Sequence, residues 1–106
     1  MTPTVAWVDD AVELIDQTRL PDDEVVLRCR TVDDVVDSIK RLAVRGAPAI
    51  GVAGAYGVAL AALHHDPASD AEAFAAAVER LAAARPTAVN LDRMVRRVAA
   101  VATSPT

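Results

Sequence analysis

Aromatic side chains are almost missing from this sequence: Trp7, Tyr56 and Phe74 make up 3% of its 106 residues. A core without rings has to be assembled from Ala, Val, Leu and Ile, in a chain that is 53% hydrophobic and 25% charged. That balance is globular, neither disordered nor fibrous. Cysteine occurs once, at Cys29. This excludes an internal disulfide framework and a thiolate metal cluster, and it fits a reducing, cytoplasmic setting. Positive charge is not in excess either: net charge is −4 and the pI is about 5.0. An acidic balance argues against broad nucleic-acid or anionic-membrane binding, yet it leaves room for one local basic pocket. Met1 to Asp10 has no basic segment leading into an apolar one, so no signal peptide is expected. The longest weakly polar run, Ala47 to Leu63, is rich in Ala and Gly and falls short of the ~20 residues a membrane span needs. It is expected to be a buried core helix.

What is present reads as one small domain of the α+β class, a three-stranded antiparallel sheet followed by a bundle of about four helices. Residues 1–31 form the meander and 32–101 the bundle. Val5 to Val8 is a short β-prone run, and Asp9-Asp10 is a turn. Val12 and Leu14 alternate with Glu13 in a second strand. Leu20 to Asp23 is a loop, and Val25 to Arg30 is a third strand. A domain of this size buries roughly two-thirds of its unfolded surface, so a second domain or partner chain would add to a modest stability.

After Thr31 the period changes. Val32, Val35, Val36, Ile39, Leu42 and Ala43 recur at helical spacing. Thr31 can cap this helix, with Asp33 and Asp34 in its first turn, and Gly46 stops it. Pro48 suits the first turn of a second helix reaching about Leu63. Gly51, Gly54 and Gly57 lie along it in one broad stripe, which permits close backbone packing. A loop through His64-His65-Asp66-Pro67 follows. Ser69 or Asp70 caps a third helix, Ala71 to Ala84. Arg85-Pro86-Thr87 breaks it, and a fourth helix runs from about Ala88 to Val101.

Two segments invite a chemical reading. In Val44-Arg45-Gly46-Ala47-Pro48, an arginine and a glycine precede a helix N-terminus, where unpaired N–H groups and the helix dipole favour an anion such as phosphate. In Arg85-Pro86-Thr87-Ala88-Val89-Asn90, an arginine again stands at the mouth of a helix, with Thr87 as a cap. By residue type alone, either is also an ordinary helix junction. Two arginines at two helix mouths could converge on one phosphate. The remaining candidates read as structural. His64 and His65 are adjacent and point apart, unlike separated zinc ligands. Cys29 stands beside Arg28 and Arg30, which could lower its pKa, but a buried structural thiol fits it better. Arg93, Arg96 and Arg97 fall on the solvent face of the fourth helix or on an interdomain surface. No metal site, cofactor motif, P-loop or Ser-His-Asp pattern is present.

The segments VRGAPAIGVAGAYG (Val44 to Gly57) and RPTAVNL (Arg85 to Leu91), with LIDQTRLP (Leu14 to Pro21) before them, closely resemble those of methylthioribose-1-phosphate isomerases. These are relatives of the alpha, beta and delta subunits of translation initiation factor 2B. The resemblance implies an aldose–ketose isomerisation of 5-methylthioribose 1-phosphate to 5-methylthioribulose 1-phosphate, in methionine salvage. It implies that Arg45, Gly46, Ala47 and Arg85 contact the sugar-phosphate substrate, and that the catalytic cysteine and aspartate lie in a later Rossmann-like domain. Nothing in this sequence matches those two residues, so the chain is expected to be inactive alone. The resemblance also implies self-association as a homodimer. After Leu91, members often continue with aromatic and apolar residues, where this chain has Asp92-Arg93-Met94. The rivals are an isomerase of 5-deoxyribose 1-phosphate and a non-catalytic assembly or regulatory module.

Overall fold

The computed structural model describes residues 5–20, 22–41, 47–85 and 89–103. Its sheet is the expected antiparallel meander, in the order β1 (Val5–Val8), β2 (Ala11–Ile15), β3 (Val26–Cys29). Asp9 and Asp10 join β1 to β2 with φ of 50° and 61°. A two-residue hairpin needs positive φ at both positions, and Asp is among the few side chains that tolerate it. The register sets Trp7 opposite Val12 and Leu14 opposite Leu27, with Val12 opposite Cys29. Those side chains line the face turned to the helices. On the other face Arg28 Nη1 donates to Glu13 Oε2 at 2.6 Å.

A short 3-10 turn, Gln17–Arg19, leaves β2 where no regular element was expected. Asp16 organises it. Its buried carboxylate accepts from Thr18 N–H at 2.9 Å and from Thr18 Oγ1 at 2.6 Å. Arg41, past the end of the first helix, reaches the same carboxylate at 3.5 Å. The Thr18 hydroxyl bond, its backbone N–H and the Arg41 charge hold the Asp16 pKa below its ordinary 3.8, against the opposing pull of burial.

The helices are α1 (Val32–Lys40), α2 (Ala47–His64), α3 (Ala71–Ala82) and α4 (Val89–Ala102). Thr31 caps α1 as expected: its hydroxyl accepts from Asp34 N–H at 3.1 Å while the Asp34 carboxylate accepts from Thr31 N–H. The Leu42, Ala43 and Gly46 parts of the α1 expectation lie outside the described residues, as do Pro86 and Thr87. The third helix stops two residues early. Ala84 N–H turns back to Leu81 C=O at 3.2 Å, a tighter closure than the α-helical one. Asp70 occupies the N-cap of α3 without a side-chain capping bond, and its carboxylate faces His65 Nδ1 at 3.4 Å instead. Of the two expected caps, Asp70 thus takes the N-cap position, without the side-chain bond that usually goes with it.

Helix α2 is apolar on nearly every side, as a helix enclosed by neighbours must be. It packs on α1, α3, α4 and the first two strands, and Tyr56 meets Trp7 with ring centroids 6.0 Å apart. Its glycines do not share one neighbour. Three residues turn a helix by roughly 300°, so each step moves the stripe ~60° around the axis. Gly51 and Gly54 face α4; Gly57 faces Leu81 of α3 and Val35 of α1. A methyl on Gly54 would stand 2.5 Å from Leu91 Cδ1 and 2.9 Å from Val95 Cγ2, whereas one on Gly51 would meet only the flexible Met94 Cγ at 3.2 Å. Both Leu91 and Val95 are fully buried.

Two stability experiments follow. Ala gains about 1 kcal/mol over Gly in a helix interior, while overpacking costs about 1–3 kcal/mol. Gly54→Ala is expected to lower the melting temperature by several degrees, and Gly51→Ala to leave it unchanged or raise it. A stabilised Gly54→Ala protein would contradict the packing described. Asp16→Ala is expected to cost about 1–3 kcal/mol near neutrality, the loss of hydrogen bonds to a charged group. Because the folded pKa is lowered, that stability is present above 3.8 and is lost as pH falls through the folded value. Urea titrations at pH 6 and pH 3 should therefore find a smaller difference between wild type and variant at the lower pH.

Candidate functional site

The site region begins with helix direction. α2, α3 and α4 alternate along the bundle. α3 runs antiparallel to α4, with Glu79 beside Arg96 and Ala71 near Thr103. α2 and α4 therefore point the same way. Gly51 lies against Met94 and the Asn90 carbonyl, and Gly54 against Leu91 and Val95, so the first turns of both helices adjoin. Ala47 opens α2 and Val89 opens α4. Arg85, half-buried just past the end of α3, leads into the segment before α4. Ala47 and Arg85 are thus brought to one end of the bundle. Arg45 and Gly46 lie outside the described residues, directly before Ala47 in sequence.

Between those first turns is an open cleft of about 400 Å³, lined by Pro48, Gly51, Val52, Asn90, Arg93 and Met94. The N–H groups of a helix's first turn have no partner within the helix, so the cleft opens beside two positive helix ends. The arginines of α4 divide into distinct roles. Arg96 is engaged: it donates to both Glu79 oxygens at 2.9 and 3.1 Å and to Asp92 at 2.8 Å. The bonds to Glu79 and Asp92 push its pKa up, and the same guanidinium holds Glu79 below its usual range. Arg93 instead lines the cleft, and Arg97 is exposed. Arg93 was expected on the solvent face or an interdomain surface, and Met94, half-buried, lines the cleft beside it. Their spacing from Asn90, three and four residues on, was the signal that they share a face with it.

The other candidates are structural. Burial pushes the Cys29 thiol up, and its sulfur lies 3.6 Å from the Ser38 hydroxyl, itself bonded to the Asp34 carbonyl. The expectation that Arg28 and Arg30 could lower this pKa is not met, since Arg28 pairs with Glu13 on the opposite face. His64, the last residue of α2, meets the Arg30 carbonyl through Nε2 at 2.9 Å, and His65 faces Asp70. Asp66 accepts from Ala68 N–H at 2.8 Å, which lowers its pKa. No group of three His, Cys, Asp or Glu stands together as metal ligands among the described residues. Among these residues no helix is long and apolar enough to cross a membrane.

Comparison with known proteins converges on this bundle. A methylthioribose-1-phosphate isomerase of Alkalilimnicola ehrlichii is 50% identical over 95 residues, covering 83% of this chain and 28% of the relative. A 5-deoxyribose 1-phosphate isomerase of Moorella thermoacetica is 48% identical over 98 residues, covering 89% of this chain and 28% of the relative. The crystal structure of 5-methylthioribose 1-phosphate isomerase from Pyrococcus horikoshii superposes with a TM-score of 0.90 at 34% identity, over 99% of this chain and 32% of that one. The chain thus spans less than a third of the length of each of these proteins. The model of the initiation factor 2 subunit family matches residues 43–105, from the α1–α2 junction through α4. More than half of the chain is included, and the chain belongs to the initiation factor 2 subunit family.

Proposed function

We propose that this chain is the substrate-orienting N-terminal domain of an S-methyl-5-thioribose-1-phosphate isomerase. The reaction is the aldose–ketose isomerisation to 5-methylthioribulose 1-phosphate, a step of methionine salvage. The observation that carries the reading is the parallel packing of α2 on α4, which sets the first turns of the two helices, together with Arg85, at one bundle end. The identity to isomerases of sugar 1-phosphates supports it.

In this reading residues 1–106 are one domain, the meander at 1–31 and the helices at 32–101. Arg45 and Arg85 neutralise the phosphate and hold sugar oxygens through charge-assisted hydrogen bonds. Gly46 and Ala47 let the backbone N–H groups at the start of α2 come close to the phosphate. The phosphate ester at the anomeric carbon makes ring opening the difficult step, so fixed orientation matters. Moving protons between the first two sugar carbons needs an acid or base in a site shielded from water. Those groups belong to a Rossmann-like C-terminal domain; none is assigned here, and no metal or cofactor enters. The setting is cytoplasmic and the assembly a homodimer.

The Moorella relative keeps a second substrate in view, 5-deoxyribose 1-phosphate. A non-catalytic assembly or regulatory module is the reading from another class, resting on the initiation-factor name of the family.

The deciding experiment assays 5-methylthioribose 1-phosphate with the chain alone and with the C-terminal portion of the Alkalilimnicola relative added. Activity is expected only in the mixture. Arg45→Ala and Arg85→Ala should each lower it about 10- to 100-fold, as loss of a charge-assisted bond of roughly 1.5–3 kcal/mol requires. A folded mixture without activity would favour the module.

A further inference from the structure

We propose that the cleft between the first turns of α2 and α4 receives the 5-substituent of the sugar phosphate, and that Met94 and Val52 set the preference for a methylthio group over a bare methyl. This rests on the isomerase reading above. The cleft opens beside the starts of α2 and α4, so a ligand whose phosphate sits at those helix ends has the rest of its small ring within reach of Pro48, Gly51 and Met94. Its volume of about 400 Å³ lies in the ~300–1,000 Å³ range of small-molecule sites.

The lining fits one end of this ligand. Pro48, Val52 and Met94 present apolar surface, and a methionine thioether is polarizable and adapts its shape to a neighbour. Gly51 keeps the floor open, because a side chain there would begin 3.2 Å from Met94 Cγ. Asn90 and Arg93 bring polar groups suited to ring hydroxyls. The substrates printed in the names of the two relatives differ at the fifth carbon, one bearing sulfur and the other not. An apolar cleft with a thioether wall is where that difference can be read.

The test is a titration of the chain, followed by the NMR signals of its backbone amides and methyl groups, with inorganic phosphate, 5-deoxyribose 1-phosphate and 5-methylthioribose 1-phosphate. All three should move amides at the starts of α2 and α4. Only the methylthio sugar should move the Met94 and Val52 methyls, and it should bind roughly 10-fold tighter than the deoxy sugar, the discrimination an apolar pocket gives. Met94→Ala should erase that difference and leave phosphate binding unchanged. Val52→Thr, a same-shaped but polar replacement at a position 39% exposed, adds no charge and should narrow the difference in the same way. Phosphate binding with no preference, or a preference that survives both variants, overturns this proposal alone. No response of the chain to any of the three ligands overturns this proposal too, while the isomerase reading is decided separately by the complementation assay above.

Discussion

The contact of Gly54 with α4 is the constraint on which the rest of this fold depends. Without a side chain at this position, the α2 backbone packs closely on Leu91 and Val95. Leu91 and Val95 are thereby fully buried, and each such side chain contributes roughly 1.5–3 kcal/mol. The same contact fixes the relative height of the two helices, and with it the level at which Ala47 and Val89 open them.

The meander is attached by different means. Trp7 stacks obliquely on Tyr56, and the sheet's inner face meets the bundle through Val12, Leu14 and Cys29. Polar ties then fasten the rims. Asp16 joins the turn after β2 to Arg41 beyond α1, and His64 at the end of α2 meets the Arg30 carbonyl at the end of β3. These bonds cross between elements far apart in sequence, so they bind the sheet to the helices at both ends of the bundle.

Much of this was legible in advance, for physical reasons. Alternation in Val12-Glu13-Leu14, the change of period after Thr31, and the capping box of Thr31 with Asp34 are local signals. Local signals survive folding when tertiary contacts agree with them. What was illegible depended on partners distant in sequence. The turn at Gln17–Arg19 needs the Asp16 carboxylate, whose burial no neighbouring residue announces. The end of α3 at Ala82 looked like Ala84, since an alanine run carries no stop signal. The glycine stripe read as one face, although its drift around the axis assigns Gly57 to α1 and α3. For the candidate site, the motifs singled out Arg85 and Ala47, which lie at one end of the bundle, while nothing local announced the cleft beside them. Met94 and Arg93 sort into core and solvent by type, and only the nearness of α2 gives them a shared role.

The two helices that border the cleft differ in how freely their sequences can change. α2 is hemmed in by three helices and the sheet, so its buried positions admit little beyond exchanges among small and aliphatic side chains. α4 has one face in water, and Asn90, Arg93 and Met94 are not locked in the core. A lineage altering what enters this cleft would therefore do so from the α4 side, where new side chains cost the fold least, while α2 stays as a fixed wall.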